Sequence, residues 1–310
     1  MVKFFALLFL IVSFSSPTLS DAQKFVLKNY DTLEKIISTY PLQETLLVLD
    51  NDDTVTKMPC DKEGNCQYLG GAAWFSWQED LLGTKSPYRV ADTFPELLQV
   101  SALLFNISDM QLTNKQLPAI LSKLTNGGLR ILMETARGYE NASSTERQLK
   151  ALNLEHTQYE NVLDLFQKNS LKINNLSSIA GPFHPCKIAN ARPVIYQQGV
   201  MYLSGQNKGV MLKCLIQHYQ KHSPNAPKIR NIIFIDDTLK NVEDVYEAFK
   251  NEPEFMVNAY HYTAYEAHKK ALTSGPQKTE LQNKARMKWQ KISHSLKENI
   301  LNPPIPNTEK

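Results

Sequence analysis

The stretch 46-LLVLDNDDTV-55 decides the fold prediction, because an apolar run meets a dense group of acidic residues within it. Residues 46–49 are apolar, and Asp50, Asp52 and Asp53 follow directly. A short apolar run bounded by polar residues is typical of a strand buried on both faces of a parallel sheet. Carboxylates at the end of such a strand repel one another unless positive charge lies nearby. The stretch therefore predicts a buried strand with a cation at its carboxyl end.

Two further apolar runs, at residues 129–133 and 232–235, have the same form and predict two more buried strands. Segments with apolar residues at the i, i+3, i+4, i+7 spacing of an amphipathic helix lie around them. These segments are residues 117–124, 212–219 and 242–249. Alternation of strands and helices predicts an α/β fold of three layers with a mainly parallel sheet.

Each predicted strand ends in polar residues that could carry chemistry. The second is followed by Thr135 and Arg137, and the third by Asp236 and Asp237. A single cluster of this kind is commonly a polar strand end or a helix cap. In open parallel sheets, however, ligands bind at the carboxyl ends of the strands, where clusters distant in sequence meet. Three clusters at three strand ends therefore predict one site.

The donor set favours a hard divalent cation. The strand ends supply carboxylates and hydroxyls but neither histidine nor cysteine, so zinc is not indicated. Oxygen ligands with room for water and phosphate suit Mg²⁺. We therefore expect Mg²⁺ as the cofactor.

The order of these clusters resembles the haloacid dehalogenase (HAD) superfamily. Its first motif, D-x-D-x-T after an apolar strand, is matched by 50-DNDDT-54. Its later motifs are matched by Thr135 at a strand end, by Lys208 at the start of a predicted helix, and by 236-DDTLKN-241. The resemblance covers roughly residues 44–250 and is nearest to exported bacterial members. It implies a Rossmann-like catalytic domain over residues 23–310, with a cap inserted after the first strand.

The resemblance also implies roles for the acidic residues. Asp50 would be the nucleophile that forms an aspartyl-phosphate. Asp52 would protonate the leaving alcohol and then activate water. The metal ligands would be the Asp50 carboxylate, the Asp52 backbone carbonyl and the acidic pair. Within that pair Asp237 would be the direct ligand and Asp236 would lie behind it.

The remaining motif residues would hold the phosphoryl group. The resemblance implies this role for Thr135 and Lys208, and Asn51 is a further candidate. Arg137 is either a substrate contact or a solvent-exposed loop residue. Asn241 stands four residues after Asp237, at a position where the superfamily carries a polar residue.

Two residues of the first motif are expected to shape its loop instead. Thr54 is expected to tie the loop after the first strand, and Asp53 to cap its turn.

Residues 57–113 interrupt the alternation of strands and helices and are rich in aromatic residues, which predicts an insertion or cap. Cys60 and Cys66 bracket a Gly-Asn turn in this segment, so we expect a small disulfide-closed loop here. Cys186 and Cys214 would form a second bridge, although four cysteines allow three pairings.

The two termini are expected to lie outside the fold. Residues 1–22 follow the order of a secretory signal peptide, with Lys3, a short apolar core and small residues. Cleavage after residue 20 and an uncleaved anchor are the alternatives. Pro303, Pro304 and Pro306 predict a flexible tail over residues 302–310.

The charge pattern limits the choice of partners. The net charge of +3 is mild and spread along the chain, so neither nucleic acid nor an anionic membrane is indicated. The lysine-rich stretch 269–291 is expected to be a solvated helix face. Beyond residue 22 no run approaches the ~20 apolar residues of a membrane span.

Two functions follow from these features. The first is an exported, periplasmic or secreted, Mg²⁺-dependent phosphatase, a hydrolase that acts on a small phosphomonoester. The second is a binding or host-interaction protein on the same scaffold with weak or no activity. Neither the identity of the substrate nor the oligomeric state can be predicted from this pattern.

Overall fold

The computed structural model describes residues 22–184, 186 and 188–301. The predicted flexible tail, and all of the predicted signal peptide except residue 22, lie outside the described residues.

The described chain contains nine strands, of which seven form the main sheet. The strands are β1 (Gln23–Leu27), β2 (Thr45–Leu49), β3 (Thr56–Lys57), β4 (Gln111–Leu112), β5 (Arg130–Thr135), β6 (Ile195–Gln197), β7 (Val200–Tyr202), β8 (Asn231–Asp236) and β9 (Met256–Tyr262). The order in the main sheet is β1-β9-β8-β2-β5-β7-β6. All neighbours in it are parallel except β6 and β7.

Helices occupy most of the connections between these strands. They are α1 (Leu33–Ile37), α2 (Ala72–Asp80), α3 (Phe94–Ile107), α4 (Leu117–Asn126), α5 (Ala142–Lys150), α6 (Val162–Asn169), α7 (Lys208–His222), α8 (Leu239–Phe249), α9 (Glu266–Thr273) and α10 (Lys278–Leu296).

Both faces of the sheet are covered, because the central strands carry apolar residues on both sides. In β2, Leu47 and Leu49 pack with α1, α4, α5 and α6 on one face. Leu46 and Val48 pack with α7 and α8 on the other face. All five residues of β2 are buried. The α/β fold with a mainly parallel sheet is therefore confirmed, and its arrangement is Rossmann-like.

The three predicted strands correspond to β2, β5 and β8, and the three predicted helices to α4, α7 and α8. The edge strand β1 and its neighbour β9 were not predicted. In β1 four of the five residues are exposed, so the strand lacks the apolar run that marks a buried one.

The sequence pattern 143-SSTE-146 predicts a helix that opens with a capping box at Ser143, and this predicted helix start is wrong. In the structure α5 already begins at Ala142, and the hydroxyls of Ser144 and Thr145 donate to the backbone carbonyl of Asn141. The reciprocal hydrogen bonds of a capping box occur instead at α3, between Thr93 and Glu96. The pattern therefore begins one residue inside α5 and does not cap it.

The segment predicted as an insertion leaves the sheet after β2 and returns through a short antiparallel ribbon of β3 and β4. Its helices α2 and α3 pack against α9 and α10 and form a third apolar core. Trp74, Trp77 and Leu97 from the insertion are buried there beside Leu272 of α9. The last helices of the chain thus cover the insertion.

Two disulfides join Cys60 to Cys66 and Cys186 to Cys214. The first closes a small loop in the insertion, and the second joins the long connection before β6 to α7. Both predicted pairings are therefore confirmed. Over the described residues we find no helix that combines the length and the apolar character needed to cross a membrane.

The third core generates a stability prediction. Leu272 is fully buried, and its replacement by Ala leaves a cavity between α9 and the insertion. We expect Leu272→Ala to lower the free energy of unfolding by about 2–5 kcal/mol. The matched control is Leu239→Ala at the exposed start of α8, which should change it by less than about 0.5 kcal/mol. Urea denaturation measures both, and equal effects would contradict the packing described.

Candidate functional site

The three predicted clusters meet at one edge of the sheet. Strands β8, β2 and β5 are neighbours, and Leu49 lies in register with Met133 and with Ile235. Asp50 therefore follows β2 between the end of β5 and the end of β8. The parallel sheet brings together residues that are separated by about 190 positions in sequence.

Lys208 joins two of these clusters. Its ammonium donates to Asp50 Oδ1 at 2.6 Å, to Asp236 Oδ2 at 2.6 Å and to the backbone carbonyl of Glu134 at 2.8 Å. All three N–H groups are thus used, and the side chain is 1% exposed. Burial opposes its charge, but the surrounding carboxylates, chiefly Asp236 and Asp50, raise the pKa of Lys208 above its ordinary value. It therefore stays protonated.

Lys208 is held in this position because it is the first residue of α7. Asn207 caps the helix, its side chain accepting a hydrogen bond from the Val210 backbone N–H. Gly209 then lets α7 approach α8 closely, because a Cβ there would lie 2.1 Å from the carbonyl oxygen of Asp244. The glycine is required by this contact, and the contact fixes the helix end that carries the lysine.

Asp50, Asp236 and Asp237 each offer a carboxylate oxygen, and these three oxygens lie within 4.8 Å of one another. Burial is the main cause that raises the pKa of Asp50, and the Lys208 ammonium acts against this rise. Burial likewise raises the pKa of Asp237 to about 7, with Lys269 opposing it. A cation placed among the three oxygens would relieve this electrostatic strain.

The hydrogen bonds distinguish the three carboxylates. Asp236 accepts from Thr238 N, Lys208 and Asn241, whose amide contacts both of its oxygens, so its four lone pairs are used. Within the described chain, Asp50 accepts from Lys208 alone among its side-chain partners. Asp50 and Asp237 therefore keep acceptor capacity that Asp236 lacks. Their oxygen-only chemistry fits Mg²⁺.

Asp52 is held by Arg137 in a two-pronged ion pair. Arg137 Nη2 lies 2.6 Å from Asp52 Oδ1, and its Nε lies 2.8 Å from Oδ2. The guanidinium also donates to Thr145 and Gln148 and stacks 4.0 Å from the centre of the Phe105 ring. The alternative of a solvent-exposed Arg137 is wrong, because its side chain is 3% exposed.

The loop after β2 is tied to the other strand ends. Thr54 Oγ1 accepts from the backbone N–H of Asp237 at 3.1 Å, so it links the first cluster to the third. Asn51 accepts from the Thr56 hydroxyl through its side chain, and its amide donates to Asp52. Asp53 has a positive φ of 57° at the turn. Burial raises the pKa of its carboxyl to about 7, and the nearby Asp52 adds to this rise.

Thr135 and Asn241 complete the predicted set. Thr135 is buried at the end of β5, and its hydroxyl accepts from the Arg137 backbone N–H. Asn241 was predicted from its place four residues after Asp237, but its side-chain amide donates to Asp236. The structure thus brings the predicted site residues together at one sheet edge. Within this group Arg137 is paired with Asp52, and Asn241 is hydrogen-bonded to Asp236.

Two residues of the site were missed by the sequence analysis. Lys269 was assigned to a solvated helix face, but its ammonium lies 2.5 Å from Asp237 Oδ2 and its side chain is 28% exposed. Glu134 is fully buried in β5, and neither of its carboxylate oxygens has a hydrogen-bond partner within the described chain. Burial raises the pKa of Glu134 well above its ordinary value. Glu134 comes directly after the apolar run 129–133, where the sequence gives no sign that its carboxylate is buried without a partner, although an unpaired glutamate is rarely buried.

Comparison with known proteins assigns the chain to a family. A family model described as a protein of unknown function, DUF2608, matches residues 27–302. The chain belongs to this family, and the match spans every residue of the site described above. No curated protein matches the chain significantly.

The Arg137–Asp52 pair generates a prediction about stability. Removing the guanidinium leaves a carboxylate and two polar side chains without their donor, so Arg137→Met should lower the free energy of unfolding by about 3 kcal/mol. Arg230→Met is the matched control, because Arg230 is half-exposed in its pair with Glu44. That change should cost less than about 1 kcal/mol.

A double-mutant cycle separates the ion pair from the other contacts of Arg137. If the ion pair stabilises the fold, Asp52→Asn combined with Arg137→Met should lower the free energy of unfolding by less than the sum of the two single changes. Urea denaturation measures the three variants, and losses of the free energy of unfolding that simply add would contradict a coupling between Asp52 and Arg137.

Proposed function

We propose that the protein is a Mg²⁺-dependent phosphatase of the HAD type that hydrolyses a small phosphomonoester. One observation carries the proposal: the carboxylates of Asp50 and Asp237 and the ammonium of Lys208 converge at the ends of adjacent parallel strands. Phosphoryl transfer needs positioning and charge stabilisation more than any special reactive group, and this arrangement supplies both.

Asp50 is the proposed nucleophile. Lys208 holds one of its oxygens at 2.6 Å, which leaves the other free to approach phosphorus. Attack forms a bond between this carboxylate oxygen and phosphorus and breaks the bond between phosphorus and the ester oxygen. The product is an aspartyl-phosphate on Asp50 and an alkoxide on the leaving group.

Asp52 is the proposed proton carrier. It lies two residues beyond Asp50 and is 19% exposed, so a proton can reach it from solvent. It gives its proton to the leaving oxygen and then takes one from the water that attacks phosphorus, which breaks the bond between phosphorus and the Asp50 oxygen and releases phosphate. In the structure Arg137 orients this carboxylate by donating to both of its oxygens, so one of these contacts has to open before Asp52 carries a proton.

The phosphoryl oxygens need positive charge and hydrogen-bond donors around them. Lys208 supplies the charge, the Thr135 hydroxyl is the proposed donor at the end of β5, and Asn51 is a further candidate. The residues that would hold Mg²⁺ are Asp50, Asp237 and the backbone carbonyl of Asp52, with Asp236 behind them. A bound Mg²⁺ would neutralise charge on the phosphoryl oxygens.

The insertion is the proposed cap over the substrate. It contacts residues of the site at two points, since Phe105 stacks on Arg137 and the Thr113 hydroxyl donates to the carbonyl of Thr54. A cap at this position would select the leaving group. The two disulfides support the proposal that the protein is exported, because disulfides persist in oxidising compartments.

A binding protein on the same scaffold is the second candidate. The observation that favours it is that Asp52 and Asp237 both have a basic partner, Arg137 and Lys269 respectively. In this account the acidic cluster would be a structural network, and the insertion would carry the binding surface. Turnover separates the two candidates.

The deciding assay uses p-nitrophenyl phosphate with purified protein, in Mg²⁺ and in EDTA. We expect turnover in Mg²⁺ alone, and Asp50→Asn should lower it by at least about a hundredfold because the nucleophile is removed. Asp109→Asn, at an exposed site, is the matched control and should leave the rate unchanged. Circular dichroism checks that each variant is folded.

Absence of turnover by the wild type over a broad panel of phosphoesters would refute the enzyme and favour the binding protein. Turnover that survives Asp50→Asn would refute Asp50 as the nucleophile.

A further inference from the structure

We propose that Lys269 competes with the divalent cation for Asp237 and so weakens metal binding at the site. The inference rests on the proposed function, because the metal site belongs to that proposal. Nothing in the HAD motifs places a lysine here, since Lys269 lies on α9, beyond the last of them.

The contact itself is close and sheltered. Lys269 Nζ lies 2.5 Å from Asp237 Oδ2, and the Asp237 side chain is only 6% exposed. The other lysine of the site, Lys208, is hydrogen-bonded to Asp50 and Asp236. Lys269 is thus the ammonium that neutralises Asp237, the carboxylate with acceptor capacity to spare for a metal.

The fold holds α9 in place beside Asp237. Leu272, one turn after Lys269, is buried in the third core with the insertion. His268 stacks on Tyr68 of the insertion at 4.2 Å, and its carbonyl accepts from the Tyr68 hydroxyl. The ammonium therefore lies on a helix that is attached to the insertion at two points, which distinguishes it from a flexible surface lysine.

The charge balance gives the direction of the effect. Three carboxylates form the cluster, and the two lysines leave it with a net charge of −1 when all are ionised. Without Lys269 this charge becomes −2, which matches a divalent cation. Charges interact strongly in such a poorly hydrated site. The loss of the Lys269 ammonium removes its repulsion of the cation and should therefore strengthen cation binding considerably.

A purely structural role for Lys269 makes the opposite prediction. If the lysine serves to orient Asp237 for the metal, its removal should loosen that carboxylate and weaken metal binding. The sign of the change in Mg²⁺ affinity therefore separates competition from orientation.

The test is isothermal titration of the full chain with MgCl₂ at fixed pH and ionic strength. We expect Lys269→Met, which keeps an apolar stem of similar length, to bind Mg²⁺ about tenfold more tightly than the wild type or better. Lys269→Gln removes the charge but keeps a hydrogen-bond donor for Asp237, and its Mg²⁺ affinity should also be higher than that of the wild type. This second variant keeps the test decisive if Lys269→Met does not fold.

Two controls fix the interpretation. Lys270→Met changes the next residue of α9, an exposed lysine paired with Glu266, and should leave the Mg²⁺ affinity at the wild-type value. Lys269→Arg retains the charge and should also bind Mg²⁺ no more tightly than the wild type.

An unchanged or weaker Mg²⁺ affinity in the neutral variants, when the wild type binds Mg²⁺, overturns the competition and leaves the proposed function intact. If neither the wild type nor the neutral variants bind Mg²⁺, the competition and the proposed metal site are both wrong.

Discussion

The buried ammonium of Lys208 is the contact on which the arrangement of the site depends. It joins Asp50 after β2 to Asp236 at the end of β8 and also bonds the backbone of β5. Two carboxylates this close and this buried could not both stay ionised without it. Because the lysine lies at the first residue of α7, the position of that helix against α8 controls the electrostatics of the sheet edge. Gly209, which permits the close approach of the two helices, is therefore part of the site.

Much of this arrangement could be predicted from the sequence. The apolar runs of β2, β5 and β8 are short and bounded by polar residues, and the rules for parallel sheets bring their carboxyl ends together. Asp50, Thr135 and Asp236 followed from that argument, because each comes directly at a strand end. Lys208 depended on the resemblance, since one lysine at the start of a helix has no pattern of its own.

Other features could not be predicted, because they arise from tertiary packing. Lys269 reaches Asp237 only because Leu272 and His268 attach α9 to the insertion, and no local pattern in a lysine-rich helix reports this. The ion pair between Arg137 and Asp52 depends on the side-chain direction of a loop residue. Strands with exposed residues, such as β1, lack the apolar run that marks their buried neighbours.

A crystal structure of the protein grown with Mg²⁺ and beryllium fluoride tests the central claim most directly, because this fluoride mimics a phosphoryl group bound to aspartate. The account predicts a beryllium–oxygen bond to the Asp50 carboxylate. It also predicts Mg²⁺ at roughly 2.0–2.1 Å from oxygens of Asp50 and Asp237, with Lys208 beside the fluorines. Fluoride bound to another residue, or Mg²⁺ held away from Asp50 and Asp237, would contradict it.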